Sequence, residues 1–323
     1  MKAIVINGFG GPEVLQIQER EIPVISDQQV LIDIKAAGVN RPDVFQRMGK
    51  YPAPQGAPVD IPGLEVAGIV VEKGKDVKHI NIGDRVMALV AGGGYAEYVN
   101  VDSGSCIVLP DSISYAQAAV LPETLYTVWH NLFQRGELKE NELALIHGGA
   151  GGIGSTAIIL AKLFGAQVAT TVSNQQKYEF VRDLGADIII NYKEEDFQQI
   201  LTNSKVDVVL DYIGGEYFEK NMNVLKEDGH LVYINAMHGA KVNLNIMQLM
   251  QKRINISGST LRGRSADFKA SLTNQLIKYV LPFIHSGEFR LPVQEKFELR
   301  DASRAHILME RGDLLGKLVL INS

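Results

Sequence analysis

The chain has 323 residues, 46% of them hydrophobic and 21% charged, with a net charge of −5. That is length for two soluble globular domains. The acidic balance and the lack of a run of roughly five basic residues argue against a nucleic-acid partner. The single cysteine, Cys106, leaves no intrachain disulfide and no cysteine zinc cluster, and a reducing, cytoplasmic setting is expected. No apolar leader stretch is seen over residues 1–11. No uncharged apolar run of about 18 residues suggests a membrane span.

Residues 1–120 read as β-rich. Strands are expected over 3–6, 15–18, 30–36, 66–72, 85–89, 95–101 and 107–109. Gly10-Gly11-Pro12, Lys73-Gly74-Lys75, Asn81-Ile82-Gly83-Asp84 and Gly92-Gly93-Gly94 punctuate them as turns. Many short strands with such punctuation suggest a closed or partly closed barrel. A short helix is expected over 41–48, with Asn40 as a candidate N-cap and Pro42 in its first turn. Helical pieces follow over 115–120 and 123–135.

From residue 143 strands and helices alternate. Strands are expected at 143–147, 168–172, 188–191, 206–211, 231–235 and 254–259, with helices at 153–164, 175–184, 194–201, 217–225 and 246–251. The strands are solid Val/Ile/Leu runs, the pattern of strands buried on both faces. Six strands joined by five crossovers make a doubly wound parallel sheet of the α/β class. A long helix over 267–285 and a strand–helix–strand tail (297–299, 302–310, 317–321) are assigned to the first domain, completing its barrel.

The turn after the first crossover strand carries a chemical signature. Gly149, Gly151 and Gly154, with Ala150, Gly152 and Ile153 between them, fit G-x-G-x-x-G between a strand and a helix. One glycine makes the tight turn, one lets backbone approach a pyrophosphate, and one lets the helix sit close to the strand. The helix N-terminus then offers free N–H groups and partial positive charge. A flexible glycine loop is the alternative for the triplet alone; its flanking strand and helix weigh against it. The end of the second strand reports on the cofactor, because an NAD site uses an acid there for the ribose hydroxyls. Thr170-Thr171-Val172-Ser173 contains none, and Lys177 and Tyr192 follow nearby in sequence. Lys177 alone reads as a solvated helix lysine; together these features favour NADPH.

Several runs occur here in a telling order: Ala36-Ala37-Gly38-Val39-Asn40-Arg41-Pro42-Asp43, Gly63-Leu64-Glu65-Val66-Ala67-Gly68, Gly83-Asp84-Arg85-Val86 and the glycine turn at 148–154. Together they resemble the medium-chain dehydrogenase/reductase superfamily, and stretches 87–99, 191–197 and 211–221 resemble its zinc-independent quinone oxidoreductases. The resemblance covers the whole chain. It implies a GroES-like β-barrel domain (1–122 and 263–323) into which a Rossmann domain (123–262) is inserted, a cleft between them for NADPH and substrate, and a homodimer with 254–259 at the interface. In the zinc alcohol dehydrogenases a cysteine ligand follows the Gly-Val pair, where this chain has Asn40. Their histidine ligand is replaced by Leu64, and their four-cysteine lobe is missing. No metal site is therefore expected.

The resemblance places Asn40 near substrate and nicotinamide, where its amide could bond a quinone oxygen; a helix cap is the equal alternative. Asp43 orients its neighbours. Tyr51 stacks on a flat substrate or simply packs its proline-rich loop. Glu65 reads as a satisfied polar group near the former metal position. Thr127 is the threonine facing the nicotinamide, against ordinary helix packing. Ser173, Lys177 and Tyr192 surround the 2′-phosphate, and Asn235, Met237, Leu261 and Arg262 line the nicotinamide half. His147 reads as a strand-end histidine more than a base, and Trp129 and His130 as core. Without a Lewis acid, alcohol oxidation is disfavoured, whereas a quinone is already electrophilic and mainly needs positioning. The expected activity is NADPH-dependent quinone reduction. Reduction of 2-alkenals or other enones is the alternative, and an NADPH-binding sensor or structural protein is the alternative outside catalysis.

Overall fold

A computed structural model describes residues 1–322. Two compact units emerge: Met1–Tyr126 with the chain from Arg262 onward, and Thr127–Leu261. The first begins with strands β1 (Lys2–Ile6), β2 (Leu15–Glu19) and β3 (Gln29–Val39), then helix α1 (Arg41–Arg47). Strands β4 (Glu65–Lys73), β5 (Arg85–Leu89), β6 (Tyr98–Asp102) and β7 (Cys106–Val108) follow, and then helices α2 (Tyr115–Ala118) and α3 (Pro122–Val128). The second unit alternates β8 (Leu143–Ile146), α4 (Gly152–Leu163), β9 (Gln167–Val172), α5 (Gln175–Asp183), β10 (Ile188–Asn191), α6 (Phe197–Leu201), β11 (Val206–Asp211), α7 (Tyr217–Val224), β12 (Leu225–Tyr233), α8 (Ile246–Lys252) and β13 (Asn255–Gly258). The chain ends with α9 (Ala266–Tyr279), α10 (Leu281–Ser286), β14 (Val293–Glu298), α11 (Ala302–Arg311) and β15 (Lys317–Ile321).

The first unit holds a seven-stranded sheet in the order β14-β15-β3-β4-β5-β7, with β6 also on β3, and a separate β1-β2 pair. Its core is a β-branched cluster that includes Ile32, Val66, Ile80 and Val86, closed from the C-terminal end by Leu318 and Leu320. β15 runs antiparallel to β3, pairing Leu318 with Val39 and Ile321 with Ala36. The tail thus lies beside the strand that precedes Asn40.

The second unit is a six-stranded sheet in the order β10-β9-β8-β11-β12-β13, parallel throughout. The first strand in sequence sits mid-sheet, so the order reverses beside it, where doubly wound sheets bind ligands. β8 and β11 are buried along their whole length, the signature of helices on both faces. Among the described residues, no helix is long and apolar enough to cross a membrane.

Local chemistry moved several boundaries. The helix expected over 267–285 breaks at Val280 into α9 and α10, because Pro282 supplies no N–H and its ring clashes with the preceding turn. The helix expected from 194 begins at Phe197, since the Asp196 side chain caps it by accepting the Gln198 N–H. The helix expected over 123–135 widens into π-helical turns over Trp129–Arg135, where Asn131 donates to the Thr127 carbonyl at 2.9 Å. The strand expected from 95 enters the ladder only at Tyr98; Ala96 instead bridges Ala3.

The glycine turn yields a stability test. A Cβ on Gly154 would run into the Gly148 carbonyl and the Gly149 backbone, whereas one on Gly151 would meet only that carbonyl, 3.9 Å away. Gly154→Ala is expected to cost about 1–3 kcal/mol by overpacking, and Gly151→Ala less than about 1 kcal/mol. Urea melts of the two variants check the ranking, and equal midpoints would refute it.

Candidate functional site

In the second unit, β8 delivers the chain to a turn at the topological reversal. The left-handed residue there is Gly148, with φ 67°, one place before the triplet seen in sequence. Gly149 lies close to Thr170 and Ile158 and Gly154 seats α4 against the turn, so neither has room for a side chain. At Gly151 a Cβ would meet only the Gly148 carbonyl, 3.9 Å away, and Gly151 is the N-cap of α4. An exposed glycine backbone ahead of an uncapped helix N-terminus fits a pyrophosphate.

A buried polar chain braces this turn. The Gly148 N–H donates to Thr171 Oγ1 at 3.0 Å, and Thr171 Oγ1 lies 3.3 Å from His147 Nδ1. His147 Nε2 meets Asn221 Oδ1 at 2.8 Å, and Asn221 Nδ2 donates to Asp211 at 2.9 Å. Asp211 accepts only, which turns the Asn221 amide oxygen toward His147 and so demands an Nε2–H tautomer. His147 is fully buried, with Phe197 and Tyr217 edge-on to its ring. Burial holds its pKa below the usual imidazole value. It is a neutral structural link, in line with its reading as a strand-end histidine.

The residues expected around the 2′-phosphate come together. Lys177 Nζ donates to Ser173 Oγ at 3.1 Å, and α5 starts beside them with Asn174 as its side-chain cap. Tyr192, half exposed, donates its N–H to the Val172 carbonyl at the end of β9. Elsewhere in this unit, Asn235 Oδ1 accepts the Ala236 N–H, Met237 is 48% exposed and Leu261 is buried. Thr127 lies in the last turn of α3.

The first unit gathers a denser polar cluster. Asn40 opens α1 in a capping box with Asp43 and donates through Nδ2 to Glu65 Oε1 at 2.8 Å. Lys317 Nζ donates to Asn40 Oδ1 at 2.5 Å, Glu65 Oε1 at 2.6 Å and the Val39 carbonyl at 3.2 Å. Glu65 Oε2 takes the Glu123 N–H at 2.8 Å. The Asp43 carboxylate accepts the N–H groups of Asn40 and Gly63 and the Tyr95 hydroxyl. Tyr95 also meets His306, which lies beside Arg47, and Arg47 makes a two-pronged pair with Glu310.

Tyr51 packs under the Arg262 guanidinium, 5.1 Å from its ring centre. The Arg262 fork itself is committed to the Ala91, Tyr51 and Pro52 carbonyls and to Gln46. It clasps the loop carrying Tyr51 and has little left to offer a ligand. Sequence reasoning missed Lys317, Glu123, Tyr95 and His306. The one available signal was Lys317, a lone charge opening the apolar run Leu318-Val319-Leu320.

Burial sets the electrostatics. Desolvation lifts the Asp43 carboxyl to about 6, against its backbone hydrogen bonds and Lys317. Desolvation, then the Glu65 charge, lifts Glu123 to about 8. Burial, then Arg47 and Arg41, pushes His306 down to about 3, so it stays neutral. The native state therefore holds a proton on Glu123 that the unfolded chain gives up, and stability falls as pH rises from about 4.5 toward 8. Glu123→Gln removes this dependence: its melting temperature is expected to gain on wild type through that window and run parallel above it. Melts taken across the range check this, and a constant offset would refute it.

Among the described residues, no group of three or more His, Cys, Asp or Glu is arranged to hold a metal. A family model described as an alcohol dehydrogenase GroES-like domain matches residues 26–111, and one described as a zinc-binding dehydrogenase matches 152–277. The chain is 35% identical to quinone oxidoreductase 1 of Escherichia coli, over 98% of each protein. It is 33% identical to the chloroplastic NADPH-dependent alkenal/one oxidoreductase of Arabidopsis thaliana, over 99% of this chain and 79% of that protein. The crystal structure of Escherichia coli quinone oxidoreductase complexed with NADPH matches with a TM-score of 0.87 at 34% identity, covering 99% of this chain and all of that one. With these relatives along its whole length and the same two-part fold, the chain belongs to the medium-chain dehydrogenase/reductase superfamily, among its quinone oxidoreductases.

Proposed function

We propose that this protein is an NADPH-dependent quinone reductase that works without a metal, as a cytoplasmic homodimer. The observation that carries the reading is Lys317: its amino group is bonded into the cluster of Asn40 and Glu65, where the zinc relatives use a Lewis acid. Bound NADPH supplies a hydride from its nicotinamide ring. The residues present fit this cofactor, given the open glycine backbone at Gly151 and the Ser173–Lys177 pair at an acid-free strand end.

Gly149, Ala150, Gly151, Gly152, Ile153 and Gly154 would hold the pyrophosphate at the start of α4. Ser173, Lys177 and Tyr192 would hold the 2′-phosphate. Thr127, Asn235, Met237, Leu261 and Arg262 would serve the nicotinamide half, Arg262 by fixing its own backbone and the Tyr51 loop. On the substrate side, Tyr51 offers a flat face, Asn40 offers an N–H to a quinone oxygen, and Asp43 sets the Asn40 backbone. A quinone gains aromaticity on reduction, so positioning supplies most of what catalysis needs. Reduction of an alkenal or enone is the second reading, favoured by the Arabidopsis relative. The product is then an enolate, and the Tyr51 hydroxyl becomes the proton donor.

The deciding experiment is NADPH oxidation against quinones, enones and alcohols. Quinones are expected to turn over far faster than alcohols; alcohol turnover without quinone turnover would sink the proposal, and NADPH binding without any turnover would favour the sensor reading. In the same assay Lys177→Ala is expected to raise the KM for NADPH about ten- to a hundredfold. That is the loss of a charge-assisted contact worth about 1.5–3 kcal/mol. The effect belongs in KM because the 2′-phosphate lies far from the hydride and binds ground and transition states alike, and the KM for NADH, which lacks that phosphate, should stay unchanged. Equal weakening of both cofactors would remove Lys177 from the phosphate pocket.

The dimer is proposed from the edge strand β13 and the exposed Ile246, Met247, Met250 and Ile256 around it, an apolar surface that asks for a partner. Light scattering is expected to give twice the chain mass, and Ile256→Lys to lower it. A wild type that runs as a monomer refutes this.

A further inference from the structure

We propose that Lys317 is a positioning residue for the hydride acceptor: its amino group locks the Asn40 amide so that one N–H is left to bind a carbonyl oxygen. The inference rests on the quinone-reductase reading and adds a residue to it.

The lock follows from donor and acceptor counting. A lysine ammonium carries three hydrogens and accepts nothing. Here those hydrogens go to the Val39 carbonyl, Asn40 Oδ1 and Glu65 Oε1. A carboxylate only accepts, and Glu65 takes Lys317 and Asn40 Nδ2 on one oxygen and the Glu123 N–H on the other. Asn40 thus has a donor-only group against one end of its amide and an acceptor-only group against the other. Flipping the amide would face oxygen to carboxylate and NH2 to ammonium. Its orientation is fixed by chemistry, and not merely assigned.

What remains is one hydrogen. Among the described residues, the second N–H of Asn40 is the only side-chain hydrogen of this trio without a partner, on a residue only 7% exposed. A buried donor in that state asks for an acceptor. A quinone or enone oxygen supplies one, and it gains negative charge as hydride reaches the conjugated system. A fixed donor aimed at developing charge stabilises the transition state more than the ground state. Lys317 on Oδ1 also draws electron density from the amide, which strengthens that N–H. The effect therefore belongs in kcat, with the substrate KM moving less.

The test must separate positioning from folding, because Lys317→Met alone leaves Glu65 buried without its partner. The double variant Glu65→Gln/Lys317→Met removes both charges together. With 2-methyl-1,4-naphthoquinone as acceptor, it is expected to melt near the wild type yet lose at least about tenfold in kcat, with the NADPH KM unchanged. Asn40→Ala is expected to lose as much, and the triple variant no more than Asn40→Ala alone. Recovery of kcat in the double variant, a harmless Asn40→Ala, or losses that multiply in the triple variant would each overturn the proposal. The lock is also read without turnover, through the side-chain amide resonances of isotope-labelled asparagine. Asn40 should give a slowly exchanging pair in wild type that shifts on adding the quinone and loses its protection in the double variant. A pair unchanged in both tests overturns the lock, whereas a wild type with the lock but no quinone turnover fails the reductase reading alone.

Discussion

A carboxylate with no exposed surface has to find a cation, and in this protein Glu65 finds Lys317. Much of the first unit is arranged around that need. The partner lies 252 residues away in sequence, so β15 must return from the chain's end to lie against β3. Gly38 on β3 has no room for a Cβ, because the Glu65 carboxyl and the Ala119 carbonyl fill that space. Glu123 enters α3 with its N–H on the second Glu65 oxygen. A buried pair of this kind adds little net stability over an apolar core, yet breaking it on one side is costly, about 3–5 kcal/mol. Its value is in placement: it ties three strands and a helix start to one amide.

The second unit solves the opposite problem. Its central strands β8 and β11 are buried along their length, and a buried polar chain gathers where β8, β9 and β11 end. There the chain from Thr171 through His147 and Asn221 to Asp211 has every member assigned a donor or acceptor role. Asp211 also accepts the N–H groups of Ile213 and Gly214, and the Tyr212 hydroxyl donates to the Gly148 carbonyl at 3.0 Å. The turns after β8 and β11 are thus tied to one another. A braced turn holds the N-terminus of α4 in place, which is what binding a diphosphate there would need.

The parts legible in the sequence were those coded locally. Strands buried on both faces, β8 and β11 here, announce themselves as aliphatic runs, and the regular alternation of strand and helix let the remaining strands and crossovers of the second unit be read in order. The glycine triplet was visible because its spacing is fixed by a turn and one helical turn. The left-handed position itself, Gly148, was not, since any of several adjacent glycines could take it. The break at Pro282 was readable from proline chemistry but lay hidden in an otherwise continuous helical pattern. Lys317, Glu123 and the His306–Tyr95–Asp43 chain were out of reach for another reason. Each depends on partners 52 to 277 residues distant, and a single sequence does not show which distant charges meet. For the same reason Asn40 could be read as a cap or a ligand, and it does sit in a capping box with Asp43, but its partners on β4 and β15 could not be read.

The order of protonation in the first unit follows from counting charges. Glu65, Asp43 and Glu123 all feel one another, and Lys317 is the cation bonded within that group. Arg262 stands near both Asp43 and Glu123, but its fork is spent on carbonyls and Gln46, and burial holds its own pKa down. Glu65 has the direct contact with that cation and two N–H donors besides. Asp43 keeps two backbone N–H groups and a tyrosine hydroxyl, and its carboxyl rises only to about 6. Glu123 has no hydrogen-bond partner for its side chain among the described residues, and it rises to about 8. Around neutral pH the Glu65–Lys317 pair therefore stands beside a protonated Glu123 and an Asp43 carboxyl that has passed its midpoint. A further negative charge near Asn40 would oppose the anion that forms as hydride arrives, and the proton on Glu123 withholds it.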